Sequence, residues 1–355
     1  MSSKSTAEIT DYLTEKLGRR EALELFKLSI HEVGKIADEI RKARCGDLVT
    51  FVNDTNINYT NICTSKCKFC AFYARSGGYV LSHEEILRKI DYAARMGATQ
   101  IMLQGGMNPG LGIEWFEELF AKIKAKFPNV HVHSLSPPEI VFLSKLEKCS
   151  IREVLERLKN AGLDSLPGGG AEILVDEVRK RISPNKCSSE EWLKVMEVAH
   201  NLGMPTTATM MFGHVESDED IVEHLLKIRK LQEKTKGFTA FIPWTFQPGN
   251  TELYGEIKRP VSPLRYLQVV AVSRIVLNNF RNIQDSWLTQ GFEIATLSLF
   301  FGANDFGGTM LEENVVRATG KDFRPAKVDE IVRAVKAVGR PVALRDTYYR
   351  ILERF

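Results

Sequence analysis

Apolar positions along the chain follow two alternating rhythms. Short runs rich in β-branched and aromatic residues recur at 49–58 (VTFVNDTNIN), 99–105, 130–136, 163–168, 206–213, 239–244, 282–288 and 295–302. Between them lie stretches whose apolar residues return every three or four positions, the spacing of one helix face. The first covers 6–43, and others cover 82–96, 113–126, 151–161, 188–202, 217–235 and 261–279. Ser82 with Glu85 three residues on has the pattern of a capping box, and Gly97 suits the stop of the same helix. Eight strands alternating with helices pair in parallel through helical crossovers. Closure into an α/β, (β/α)8 TIM-type barrel is the simplest solution, with an open doubly wound sheet as the alternative. The chain divides into an N-terminal helical extension packed on the barrel (1–48), the barrel (49–320) and a C-terminal helical tail closing it (321–355).

A barrel of this kind carries its reactive groups at the C-terminal ends of its strands. The chemically unusual residues gather at those expected ends: Cys63 to Cys70, Gln104-Gly105-Gly106, His133, Gly168 to Gly170, His214, Trp244, Gln247, Asp285, Asn304 and Asp305. Composition adds exclusions. With 355 residues and 44% hydrophobic residues, the core is large enough to need no disulfide. A net charge of +3 gives no argument for a nucleic-acid or membrane partner. Neither a long apolar span nor the apolar core of a secretory signal is present, so a cytoplasmic location is expected.

Three of the six cysteines crowd into NICTSKCKFC, spaced C-x3-C-x2-C. Soft thiolates suit an iron–sulfur centre or zinc. A closed structural zinc site takes four ligands, and no fourth Cys or well-spaced His lies nearby; a zinc site completed by a distant His is the alternative. Three ligands leave one iron of a cubane open for a cofactor. Cys45, Cys149 and Cys187 have no partner motif and read as packing residues.

The cysteine spacing, with Phe69 as the aromatic before the last Cys, resembles the signature of the radical S-adenosylmethionine (SAM) superfamily. The resemblance implies that Cys63, Cys67 and Cys70 ligate a 4Fe-4S cluster whose open iron chelates SAM. It implies reductive cleavage of SAM to a 5′-deoxyadenosyl radical, and an external one-electron donor such as flavodoxin or ferredoxin. LQGGMNP (103–109) resembles the superfamily's glycine-rich SAM motif, with Gln104, Gly105 and Gly106 as cofactor contacts; an ordinary βα turn is the bland reading. LPGGGAEIL (166–174) puts three glycines before an expected helix start, with Glu172 near its N-terminus as a further cofactor contact or a simple cap.

The phrases DTNINYTNICTSKCKFCAFYARSGGY, GLDSLPGGGAEIL, TTATMMFGH, FIPWTFQPGNT, SWLTQG and GANDFGGTMLEENVV extend the resemblance to the dehypoxanthine futalosine cyclases of menaquinone biosynthesis. Aminofutalosine synthases share several of them, and the subunits of FO synthase share the tail. The cyclase resemblance implies removal of ribose H4′, addition of the carbon radical to a benzoate ring, and loss of a proton and an electron. A base is then needed, with Asp285, His214 and Glu216 the candidates and Asp285 preferred. His133, Trp244, Asn304, Asp305 and Thr309 are candidate substrate contacts. Each has a structural alternative: His133 a hydrogen-bonded strand-end group, Trp244 barrel closure, and Thr309 a helix cap with Glu312. A non-SAM iron–sulfur electron-transfer protein is the competing class.

Overall fold

The computed structural model describes residues 17–355. The expected first helical stretch lies outside the described residues up to position 16, as does that part of the 1–48 extension. Two helices follow, α1 (Arg19–Glu24) and α2 (Ile30–Cys45). Ser29 and Glu32 cap α2 reciprocally, and Gly46 ends it.

The first barrel strand is broken at Asn53 into β1 (Val49–Val52) and β2 (Asp54–Ile57). After the cysteine loop come α3 (His83–Arg95), β3 (Gln100–Leu103), α4 (Ile113–Lys126) and β4 (His131–Val132). Ser82 and Glu85 form the expected capping box on α3. The expected helix at 151–161 is α6 (Ile151–Ala161), and it is flanked by two helices the spacing did not predict, α5 (Pro137–Glu147) before it and α7 (Asp176–Ile182) after it. Then come α8 (Ser189–Asn201), β5 (Thr206–Phe212), α9 (Asp218–Thr235), β6 (Phe238–Thr245) and α10 (Pro263–Val276). The chain proceeds through β7 (Asn282–Ile283), α11 (Trp287–Gln290), α12 (Phe292–Ser298) and β8 (Asp305–Gly308). It ends with α13 (Val328–Ala337), β9 (Val342–Arg345) and β10 (Ile351–Arg354).

Parallel pairing runs β2–β3–β4 and β5–β6–β7, and β8 returns to β1. The expected strand at 163–168 is reduced to two bridges, His133 to Ser165 and Leu166 to Thr206, and a third bridge joins Gln284 to Asp305. Those bridges complete an eight-position closed barrel.

Two expectations are corrected. The run at 295–302 is not the eighth strand. Its Leu and Phe content resembles a strand, but burial at Ala295, Ser298 and Leu299 has helical spacing, and the segment forms α12 and its exit. The eighth strand is DFGG, poor in β-formers; a Cβ at Gly308 would lie 2.1 Å from Asp54 Oδ1, so glycine permits the closure. The C-terminal tail is not helical throughout. Barrel strand 1 gives only its upper half, β2, to β3, which leaves the lower edge of β1 open. β9 fills that edge in parallel, Val49 opposite Val342 and Phe51 opposite Leu344, and β10 covers β9 antiparallel. The tail thus packs strands against the barrel's base.

Candidate active site

The cysteine loop leaves the top of β2 and is fixed from three sides. Met107 O accepts from Thr64 N (3.0 Å) and Oγ1 (3.1 Å), Ile182 O accepts from Lys68 N (2.8 Å), and Asn185 Nδ2 donates to Ser65 O (3.3 Å). Lys66 adopts a positive φ of 46°, and Cys67 is buried between exposed Lys66 and Lys68. Cys63 and Cys70 are half-buried. Burial pushes the Cys67 thiol up to about 11, against the pull of Lys186 and the Ser65 hydroxyl. Burial also raises Cys70, opposed by the Tyr73 and Phe72 amides and Lys186. A metal that displaces those protons would find amide dipoles and a cation in place to offset the thiolate charge. Among the described residues, no three His, Cys, Asp or Glu converge on a point a single ion would fill. Three sulfur donors on one loop, with amides and a lysine behind them, fit an iron–sulfur cluster better than a four-ligand zinc site.

The Gly-Gly pair is required by that loop. A Cβ on Gly106 would stand 2.1 Å from Ile62 O and 2.8 Å from Cys63 Cβ, and one on Gly105 would stand 2.6 Å from the Tyr59 ring. Gly106 N donates to Thr60 O (3.0 Å). The close approach therefore serves the cysteine loop first. Gln104 reaches across to the glycine triplet, its Nε2 at 2.8 Å from where a Cβ on Gly169 would be. Gly168 is pressed on the β5 backbone, where a Cβ would meet Thr207 O at 2.6 Å.

Glu172 is expected near a helix N-terminus but does not lie at one; α7 starts four residues later, at Asp176. It sits instead in a left-handed bend (φ 41°), buried, with Oε1 3.0 Å from Lys186 Nζ and Oε2 3.6 Å from Arg179 Nη1. Oε2 has no hydrogen-bond partner. Lys186 Nζ also stands 5.1 Å above the Phe69 ring, which joins Phe69, Glu172 and the cysteine loop in one electrostatic unit.

Inside the barrel lies a cavity of about 240 Å3. Gln104, Gly169, Trp244, Asp285 and His133 line it, and Arg345 and Tyr349 from the C-terminal tail line its floor. Asp285 is buried. One oxygen accepts from Trp287 N (3.1 Å), and Oδ2 has no partner. Burial and the Asp305 carboxylate push its carboxyl well above the usual range, toward the protonated form. A carboxyl raised in this way favours the role of donor over that of resting base.

Other candidates are placed elsewhere. His214 and Glu216 build the turn before α9. Glu216 accepts from the Gly213 amide (2.5 Å) and the His214 amide (2.9 Å), while Val215 N donates to His214 Nδ1 (2.7 Å) and His214 Nε2 lies 3.1 Å from Met211 O. Burial raises the Glu216 carboxyl, but hydrogen bonds from His214 and those amides outweigh it and hold the group below its ordinary value. Neither residue lines the cavity. Asn304, Asp305 and Thr309 are also not a substrate wall. Since β8 begins at Asp305, Asn304 and Asp305 sit at the base. Asn304 Oδ1 takes Arg274 Nη2 (2.7 Å) and Ile283 N (2.9 Å). Asp305 takes Arg345 Nε (2.7 Å) and Thr50 Oγ1 (2.6 Å). Thr309 Oγ1 donates to Asn53 Oδ1 (2.8 Å), which ties β8 across the break in strand 1. Gln247 bonds back to Thr245 and does not face the cavity.

One site residue escaped the sequence reading. Glu139, wholly buried on α5, accepts from Tyr59 OH (2.6 Å), Gly105 N (3.2 Å) and the Ser136 hydroxyl. Burial pushes its carboxyl up to about 7. Its only signal was Ser136-x-x-Glu139, which is also the pattern of an ordinary helix start.

The radical SAM superfamily profile matches residues 57–228, and the profile of the CofH/MqnC C-terminal region matches 235–354. The chain is 43% identical to a cyclic dehypoxanthine futalosine synthase of Halalkalibacterium halodurans, over 96% of this chain and 93% of that one. It is 41% identical to a 5-amino-6-(D-ribitylamino)uracil–L-tyrosine 4-hydroxyphenyl transferase of Methanothermobacter thermautotrophicus, over 96% of each chain. The crystal structure of methylornithine synthase (PylB) superposes with a TM-score of 0.74 at 18% identity, over 94% of this chain and 96% of that one, a likeness of fold.

Proposed function

Because this chain belongs to the radical SAM superfamily, and within it to the CofH/MqnC enzymes, we propose that it cyclises dehypoxanthine futalosine in the futalosine route to menaquinone. The observation that carries the reading is 43% identity to cyclic dehypoxanthine futalosine synthase over 96% of the chain, an alignment that spans both the cluster half and the C-terminal half. Enzymes of this superfamily use a 4Fe-4S cluster and SAM, which when bound supply a 5′-deoxyadenosyl radical that removes a hydrogen atom from the substrate. The chain's own residues then have distinct tasks. Cys63, Cys67 and Cys70 hold the cluster, and Lys186 with the Phe72 and Tyr73 amides moderates the thiolate charge. Gln104, Gly105, Gly106, Glu172 and Phe69 border the SAM site. Trp244 and His133 face the substrate in the barrel, and the protonated Asp285 donates a hydrogen bond to it from Oδ2. The reaction breaks C4′–H, forms a bond from C4′ to the benzoate ring, and releases one proton and one electron. The electron goes to a one-electron acceptor of the iron–sulfur or flavin class. The protein works in the cytoplasm with an external donor such as flavodoxin or ferredoxin.

A second reading has its own support in the 41% identity to the 4-hydroxyphenyl transferase. It takes tyrosine and 5-amino-6-(D-ribitylamino)uracil as substrates. Anaerobically reconstituted protein with SAM and reductant separates the two. We expect 5′-deoxyadenosine and a product two hydrogens lighter than dehypoxanthine futalosine. Turnover only with tyrosine and the ribityl uracil would overturn the cyclase assignment.

A further inference from the structure

Residues two apart on a strand face the same way, so His131 and His133 share one face at β4. Across the neighbouring barrel position, Ser165 Oγ lies between them, 2.7 Å from His131 Nε2 and 2.6 Å from His133 Nδ1. Ser165 is wholly buried. A serine hydroxyl has one proton to donate. One imidazole must therefore give its proton to Oγ while the other accepts from it, which sets the two tautomers in relation to each other. The ends of the chain differ. His133 lines the barrel cavity. His131 is part-exposed at the start of β4, with its ring edge against exposed Tyr348, 5.0 Å between centroids.

We propose that His133, Ser165 and His131 form a proton path from the cavity to solvent at the base of the barrel, with His133 accepting the proton the substrate releases. The proposal rests on the cyclase reading, in which an aromatic C–H must lose a proton inside the barrel. The ring C–H bond breaks and leaves its electron pair in the ring. The proton joins His133 Nε2, the Nδ1 proton passes to Ser165 Oγ, the hydroxyl proton passes to His131 Nε2, and the His131 Nδ1 proton goes to water. One proton enters and one leaves. Exchange with water at both ends resets the tautomers.

The surroundings suit this role. Burial, with His131 and Arg345 nearby, keeps His133 neutral far below its ordinary value, so its lone pair is free at neutral pH. Burial holds His131 down to about 4, with Asp164 and Asp346 pulling up and Lys124 and Arg350 pushing down, so a proton arriving there is not retained. The cysteine loop stands at the opposite end of the strands, and a substrate seated beneath it does not block an exit through the base.

The test uses reconstituted holoenzyme and scores cyclised product per 5′-deoxyadenosine. Ser165→Ala and His131→Gln are expected to lower that ratio about tenfold or more, given what positioned proton transfer contributes. Ser165→Thr, which keeps the hydroxyl, restores it. The proton inventory of product formation is expected to be curved in the parent and linear in Ser165→Ala. Unchanged ratios in both variants with a linear parent inventory would overturn the path. A second readout needs no substrate: 15N NMR of the histidine rings in cluster-free protein, with thermal melts to check folding. Fixed His131 and His133 tautomers that become mixtures in Ser165→Ala support the path, and mixtures already present in the parent overturn it. If the parent forms no 5′-deoxyadenosine with dehypoxanthine futalosine, the cyclase reading fails and the NMR result alone decides the hydrogen-bonded chain.

Discussion

Gly106→Ala tests the link between the glycine motif and the cysteine loop. The added methyl would sit 2.1 Å from Ile62 O, 2.7 Å from Ile62 C and 2.8 Å from Cys63 Cβ. Reaching ordinary contact with the carbonyl requires a retreat of roughly 1.3 Å. The obstacle is backbone, so no rotamer change relieves it. Gly106 N is bonded to Thr60 O, and Thr64 is bonded to Met107 O, so both sides of the clash are tethered. Overpacking of this kind costs about 1–3 kcal/mol. The strain falls on Ile62–Cys63 and moves a ligand sulfur away from its partners. After anaerobic reconstitution we expect iron and sulfide per chain to fall to less than about half of the parent value, while the melting midpoint of the cluster-free protein drops by roughly 2–12 °C, at about 2–4 °C per kcal/mol. Gly255→Ala is the control, since nothing lies within 4 Å of its Cβ position. Full iron loading in Gly106→Ala, with a melt equal to that of Gly255→Ala, would refute the claim that this glycine exists to admit the cysteine loop.

Three further outcomes follow from the site. Glu139 titrates near 7 in the fold against an ordinary 4.5, so its contribution to stability is complete below about 4.5 and is lost as pH rises through 7. Glu139→Gln should remove a fall of up to ~3 kcal/mol between pH 4.5 and 8, seen as a flatter difference in denaturant midpoints; parallel profiles would contradict the raised carboxyl. Asp285→Ala should raise the substrate KM about tenfold, because a donor to a charged or polar group is worth about 1.5–3 kcal/mol, while Asp285→Asn, whose amide still donates from the Oδ2 position, should keep KM near the parent value; loss of turnover and of a pH–rate limb in Asp285→Asn with KM unchanged would restore Asp285 as the base. Glu216→Gln should lower stability by about 1–2 kcal/mol through its lost amide contacts with product per 5′-deoxyadenosine unchanged; a drop in that ratio would return the His214 turn to the chemistry.

Much of the barrel was legible because its helices carry their own boundaries. Ser82 with Glu85 starts α3, and α4 and α6 occupy the expected 113–126 and 151–161. Caps and a repeating apolar face are local properties, readable a few residues at a time. The cysteine loop was legible for the same reason, since three cysteines lie within eight residues. The eighth strand was not. DFGG has weak β-propensity and is a strand because β1 and the bridge to Gln284 offer its backbone partners on both sides. Its misplacement carried Asn304 and Asp305 with it, from the mouth of the barrel to the base.

The sequence by itself determined the alternating architecture, the clustered cysteine triad and the glycines beside it, because these depend on spacing along the chain. Only the tertiary structure decided what each polar group faces. It brings Lys186 to Glu172 and Phe69, and Glu139 to Gly105. It sets Ser165 between two histidines and buries Asp285 with one oxygen unpartnered. Protonation and reactivity depend on burial and on neighbours distant in sequence, and neither can be read from the order of residues.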